Sequence, residues 1–304
     1  MGKGYRWQAV SVLGMGLIAI SFASIFIKLC SAPSLVIAAY RLTIASAVYI
    51  IFTRIRYGPI LSRFSKVQRL WALASGSFLA LHFATWITSL KFTTVASSVV
   101  LVQSAPVFVA IGSILFLREK PTKLTLLGIV IAFGGTFLIS AHDFSSDRSS
   151  LVGNLLAIAG AIGAAGYLLL GRKLRTEIAT FQYVTIVYSV AAFWLLLFVG
   201  FSGSQLVGYD NQTYLLFIAI ALIPQVIGHT TVNWALKYFS ATAVAVIILG
   251  EPIGASILAV LILKEKISGM KILGGLIILT GVILALLGES QQRTNAAQSE
   301  LNHK

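Results

Sequence analysis

The chain has 304 residues, 58% hydrophobic and only 11% charged, with a formal net charge of +14 and a mean hydropathy of +0.92. A soluble domain carries roughly a quarter charged residues, so a water-soluble fold of this length would expose much of its apolar surplus, whereas a bilayer accepts an apolar exterior. The basic residues stand in short gaps between apolar runs, as in Arg54-Ile55-Arg56 and Arg172-Lys173; that is the pattern of membrane flanks, and it argues against nucleic acid as the partner.

A crossing helix needs roughly 20 mainly apolar residues, and ten such runs follow one another. The first, about residues 8–29, exceeds the roughly 7–15 residues of a signal-peptide core and is read as a retained span. It ends at Cys30, the single cysteine, so neither an intramolecular disulfide nor a cysteine-based zinc cluster is available. Span two, about 34–53, contains Ala39-Tyr40-Arg41-Leu42, and Arg41 is the basic residue that lies well inside a span. After a polar gap at 54–68, span three (about 69–90) carries Ser75, His82 and Ser89 at seven-residue spacing, with Trp86 one turn beyond His82. Span four (about 95–117) is interrupted by Pro106 and runs into Arg118-Glu119-Lys120; span five is about 122–141.

Span six, about 152–172, contains Gly160, Gly163 and Gly166. No lysine follows them as in a phosphate loop, and close helix packing is the better reading. Span seven is about 180–200. Span eight (about 213–236) places Gln225, His229 and Asn233 at i, i+4 and i+8, a polar stripe of the kind that walls a cavity. Span nine, about 241–263, holds Glu251 about ten residues in. At roughly 1.5 Å per residue that is near the bilayer midplane, where ionisable groups face a bundle interior or a wet cavity. Its neighbours Gly254 and Ala255 are small, and Pro252 follows it directly. Span ten is about 268–288, a cytoplasmic polar tail follows at 289–304, and from Ser290 to Lys304 it is expected to be disordered.

With the N-terminus inside, sixteen Lys and Arg fall on the cytoplasmic side and six on the other, which favours both termini in the cytoplasm. Lys264, Lys266 and Lys271 dissent, and an internal repeat accounts for them. Residues 90–138 overlie 236–284 without a gap at an offset of 146, matching Pro106 to Pro252, Glu119-Lys120 to Glu265-Lys266, and Gly128 and Gly135 to Gly274 and Gly281. Five spans per copy is an odd number, so the copies must be oppositely oriented. The predicted fold is therefore an all-α integral membrane protein, ten transmembrane helices as a 5+5 inverted repeat, with halves at 8–141 and 152–288. Inverted repeats around a midplane site are a recurrent plan of secondary transporters.

These residues carry a family resemblance. Ala39-Tyr40-Arg41-Leu42, Pro106, Arg118-Glu119-Lys120, Gly228-His229-Thr230-Thr231-Val232-Asn233-Trp234-Ala235-Leu236-Lys237 and Leu249-Gly250-Glu251-Pro252 resemble the drug/metabolite transporter superfamily, specifically proteins with two EamA-like domains, over about residues 8–288. The resemblance implies a central cavity and transport of amino acids, other metabolites or amphipathic drugs, often outward and often proton-coupled. Ala105 stands opposite Glu251 in the repeat, so the halves are not chemically equivalent.

The expected solute- or ion-binding residues are Glu251, Arg41, His229, Asn233, Gln225, His82, Trp86 and Tyr40. Glu251 would carry a proton or hold an amine, and Arg41 would hold a carboxylate or pair with Glu251. Trp86, Trp234, Tyr40 and Tyr167 offer stacking surfaces, with core filling as the plainer role, and Pro106 and Pro252 are expected to break their helices and serve as gates. The expected function is a proton-coupled secondary exporter of a small amphipathic metabolite in the plasma (bacterial inner) membrane, not an enzyme, with no cofactor and no metal; the assembly state, homodimer included, stays open. An exchanger of phosphorylated metabolites or nucleotide-sugars would need more cavity cations than Arg41. An intramembrane hydrolase would need paired acids, a metal motif or a Ser/His dyad, for which His82 and His229 beside nearby serines are the weak candidates.

Overall fold

The computed structural model describes residues 3–59, 64–89, 92–93, 95–141, 151–264 and 269–302. They form ten helical units: α1 (Lys3–Leu29), α2 (Ser34–Tyr57), α3 (Lys66–Ser89), α4 (Val95–Val102, then Ala105–Gly112 and a π-helical Ser113–Leu117), α5 (Lys123–Ala141), α6 (Leu151–Arg175), α7 (Thr180–Ser202), α8 (Asn211–Ile220, a π-helical Ala221–His229, then Thr230–Ala235), α9 (Ala241–Ile248, then Glu251–Leu263) and α10 (Gly269–Asn302). Nine of these helices are long and apolar enough to cross a bilayer, and α5 adds a shorter apolar stretch, Lys123–Leu138.

Local chemistry sets several boundaries. Asp210 caps α8 by accepting from the Thr213 N–H at 2.7 Å, and Ser240 caps α9 through the Ala243 N–H at 3.2 Å. Gly58 and Gly203 end α2 and α7 at positive φ, which glycine adopts without a Cβ penalty. The tail does not behave as its polarity suggests. Helix α10 continues through Asn302, and its extension is anchored where Glu289 accepts from the Ser240 N–H and Oγ, and Gln292 Nε2 donates to the Lys120 carbonyl at 3.1 Å. Composition misses such anchors because they are tertiary.

The inverted repeat is visible in the packing. The dominant helix pairs all cross between halves: α5 along α10, α3 along α6, α2 along α7 and α1 along α8. Exchanging the halves turns the α3–α6 pair into α8–α1 and maps the other two onto themselves, as a two-fold axis requires. The α5–α10 seam shows this at residue level. A Cβ at Gly128 would sit 2.6 Å from the Gly281 carbonyl oxygen, and one at Gly135 would sit 2.7 Å from that of Gly274. Each glycine thus meets the repeat-mate of the other. Arg118 and Lys264, also repeat-mates, end their helices in the same left-handed conformation at φ 58.

Candidate functional site

The two helix breaks meet at a cavity. Helix α4 is interrupted between Val102 and Ala105, and α9 between Ile248 and Glu251. Each break precedes a proline by a residue or two, and proline removes the N–H that would bond the carbonyl four residues earlier. Those carbonyls belong to Val102 and Ile248, and both residues line a cavity of about 350 Å³ with Pro106 and Pro252. A volume of that order holds a small organic molecule.

The wall is mostly apolar, with Ile20, Leu79, Phe83, Val99 and Val232 among its residues. From its floor near Tyr167 and Leu168 the cavity runs along α1 from Ile20 to Lys28 and along α9 from Glu251 to Ala259. It therefore reaches towards the face that bears the α1–α2 connection, opposite the chain termini. The terminal side is packed shut. Asn233 Nδ2 donates to the Tyr167 hydroxyl and to the Tyr188 hydroxyl (3.3 Å), and Tyr49 donates to the Val226 carbonyl at 2.9 Å. Below them Arg172 Nε meets Glu119 Oε1 at 2.8 Å, while its Nη1 donates to the Leu236 carbonyl at 2.8 Å.

Glu251 lies at the foot of the second half of α9, partly exposed to the cavity. Among the described residues nothing hydrogen-bonds its carboxylate; only its main-chain oxygen is engaged, accepting from Ser21 Oγ at 3.2 Å. Gly254 packs against Ser21, while Ala255 lines the cavity beside the acid. Arg41 acts on Glu251 electrostatically but makes no direct ion pair with it. Arg41 is 3% exposed. Its Nε donates to Gln225 Oε1 at 2.7 Å, its guanidinium carbon lies 4.6 Å from the centre of the Phe83 ring, and its Nη2 is buried with no partner.

His82 and Trp86 stack at 5.8 Å with planes 11° apart, both on the cavity wall. The α3–α6 contact fixes them: a Cβ at Gly163 would come within 2.7 Å of the His82 amide nitrogen, and one at Gly160 within 3.1 Å of Trp86 Cβ. The reading of the span-six glycines as packing residues holds. The His82 Nδ1 lies 2.9 Å from the Gly160 carbonyl. A carbonyl only accepts, so Nδ1 carries the proton and Nε2 offers a lone pair.

Of the predicted site residues, the structure brings Glu251, Arg41, His229, His82, Trp86, Pro106 and Pro252 to one cavity. Three lie elsewhere. Tyr40, in the second turn of α2, points away from the cavity, donating to the Leu206 carbonyl at 2.9 Å and stacked on Phe217 at 4.2 Å. Gln225 and Asn233 are fully buried behind the wall. The predicted stripe does not face the cavity as one, and residues 221–229, which include Pro224, wind as a π-helix. His229 alone of the three lines the cavity, while Gln225 accepts from Arg41 and Asn233 donates to the Tyr167 and Tyr188 hydroxyls. Sequence reasoning passed over Gln103 and Lys28. Gln103 was findable as a polar residue three before Pro106 in an apolar run, whereas Lys28 reads as an ordinary membrane flank. Among the described residues, no group of three or more His, Cys, Asp or Glu could hold a metal.

Comparison with known proteins agrees with this architecture. The model of the EamA-like transporter family matches residues 6–141 and again 151–287. An uncharacterized transporter of Archaeoglobus fulgidus is 26% identical over 259 residues, 84% of this chain and 88% of that protein. The uncharacterized transporter YetK of Bacillus subtilis is 27% identical over 225 residues, 69% of this chain and 65% of YetK. A solved crystal structure superposes with a TM-score of 0.79 at 19% identity, covering 94% of this chain and 98% of the other, a likeness of fold.

Proposed function

Because the chain belongs to the EamA-like transporter family through both of its halves, we propose that this multi-pass transmembrane transporter is a proton-coupled exporter of a small amphipathic solute, with Glu251 as the coupling group. One observation carries the reading: a carboxylate with no hydrogen-bond partner stands at a broken helix, inside a cavity of about 350 Å³ sealed on one side. A carboxylate in the membrane interior is expensive unless it does something there.

The cycle follows from the repeat. With both termini in the cytoplasm, as the Lys and Arg bias favours, the cavity described here opens outward. A proton from outside takes the carboxylate and releases the solute; after the halves rearrange, a cytoplasmic solute displaces the proton inward. Pro106 and Pro252 stand at the breaks that such a rearrangement bends. A phosphorylated solute would require several reachable cations, and the cavity lining offers two, Lys28 at its rim and Arg41, whose Nε is already spent on Gln225. The test is flux in liposomes with and without an imposed pH gradient, for wild type and Glu251→Gln. Gradient-driven flux lost in the variant supports the coupling role, while gradient-insensitive flux in wild type removes it.

A further inference from the structure

Two opposite charges share this cavity without touching. Arg41 and Glu251 both line it, and Glu251 is its one carboxylate among the described residues. Attraction in a poorly screened interior would draw the guanidinium onto that acid. The guanidinium is also short of partners. Among the described residues its one hydrogen bond leaves from Nε, and Nη2 is buried with nothing to donate to; an unmet buried donor is costly, more so when charged.

Two buried side chains hold it back. Gln225 Oε1 accepts from Arg41 Nε at 2.7 Å, and the guanidinium carbon lies 4.6 Å from the centre of the Phe83 ring. Both side chains are anchored, Gln225 at 0% and Phe83 at 1% exposure. The Gln225 carbonyl accepts the Thr230 N–H, which fixes its place in the π-helical stretch of α8. Glu251 has no such restraint, because its carboxylate hydrogen-bonds nothing among the described residues and only its main-chain oxygen is engaged, by Ser21.

We infer that Gln225 is a positioning residue for proton coupling: seated with Phe83, it holds Arg41 off Glu251, so that the carboxylate stays free to take and release a proton. An opposite charge in contact with a carboxyl lowers its titration midpoint by about 1–3 pH units, which would keep the acid ionised through the cycle. At a held distance the same charge makes a bare carboxylate tolerable in the membrane without locking it. The other titratable groups facing Glu251 across the cavity are Lys28 on α1, His82 on α3, Tyr167 on α6 and His229 on α8; the lining stretches of α4 and α9 add none, and α10 does not line it. None of them hydrogen-bonds the Gln225 side chain, whose one bond is to Arg41, so a change at Gln225 reaches the acid through Arg41. This assignment rests on the coupling reading, and its test separates the two.

Infrared spectroscopy of the purified protein in lipid follows the acid directly, through the protonated carboxyl C=O band that Glu251→Gln removes, and needs no solute. Gln225→Leu is expected to lower the pH midpoint of that band by about one unit or more, about a tenfold loss of proton affinity. Gln225→Glu keeps an acceptor on Arg41 and adds a negative charge, so its midpoint should stay at or above that of wild type. In an Arg41→Gln background, Gln225→Leu should move the midpoint by less than about 0.3 unit. If Gln225→Leu does not fold, Phe83→Leu, which removes the ring beneath the guanidinium, is read in its place and should shift the midpoint the same way. A midpoint unmoved or raised by the substitution, or lowered equally without Arg41, overturns the positioning role and leaves the coupling reading standing. A Glu251 band that never titrates in wild type removes both.

Discussion

Glu119→Gln isolates the seal on the terminal side of the cavity. Glu119, between α4 and α5, belongs to the first half and Arg172 to the second, so their 2.8 Å contact is a bond between the parts that must separate for the cavity to open towards the termini. The side chains are 26% and 19% exposed, between the surface regime, worth up to about 1 kcal/mol, and charge-assisted bonds worth about 1.5–3 kcal/mol. Arg172 keeps its bond to the Leu236 carbonyl at 2.8 Å in the variant, so the loss is about 1–2 kcal/mol. If the bond is confined to the terminally closed form, the population open on that side rises by about five- to thirty-fold. In a Cys30→Ser background, Val232→Cys places a thiol on the cavity wall, and an impermeant maleimide applied from the terminal side reads its access. Glu119→Gln should raise the labelling rate by that factor, and the swap Glu119→Arg with Arg172→Glu should bring it back towards wild type. Unchanged labelling in Glu119→Gln would refute the seal.

The α5–α10 seam gives a stability contrast. Gly281→Ala drives a methyl to 2.5 Å from the Ala132 amide nitrogen and should cost about 1–3 kcal/mol, whereas Gly134→Ala on the open face of α5 should stabilise by about 0.4–1 kcal/mol; melting in detergent with both variants falling together would contradict the seam. Tyr40→Phe should leave gradient-driven flux within about twofold, because Tyr40 lies outside the cavity, and a large loss in the liposome assay would return it to the site. Bonds from Thr213 hold the Asp210 carboxyl below the usual carboxylate range, so its capping is present above the unfolded value and lost as pH falls through the lower folded one. The melting-temperature gap between wild type and Asp210→Asn should therefore narrow in acid; a gap independent of pH would show that the cap does not depend on charge.

Much of the molecule follows from the order of its residues. Ten apolar runs give the helices, because a bilayer leaves the backbone no partner but itself. The match of Pro106, Glu119 and Gly128 to Pro252, Glu265 and Gly274 gives the two-fold plan, since residues that break or tighten helices are constrained by position as Leu and Val are not. The position of Glu251 midway along the span Ala241–Ile262 is likewise legible from counting. What the sequence could not hold is the direction of side chains on α8. Gln225 is taken up by Arg41 and Asn233 by the Tyr167 and Tyr188 hydroxyls, so that His229 alone of the three lines the cavity, and such pairings depend on what packs around the helix. The same limit explains Tyr40, which sits one residue from Arg41 and so on a different side of α2, and the tail of α10, which its bonds to Ser240 and Lys120 anchor. Linear order set the helices and their pairing; which polar atoms are spent on the protein and which stay open to a ligand was decided by packing, because a hydrogen bond between residues as distant as Arg41 and Gln225 exists only once the two halves have closed on each other.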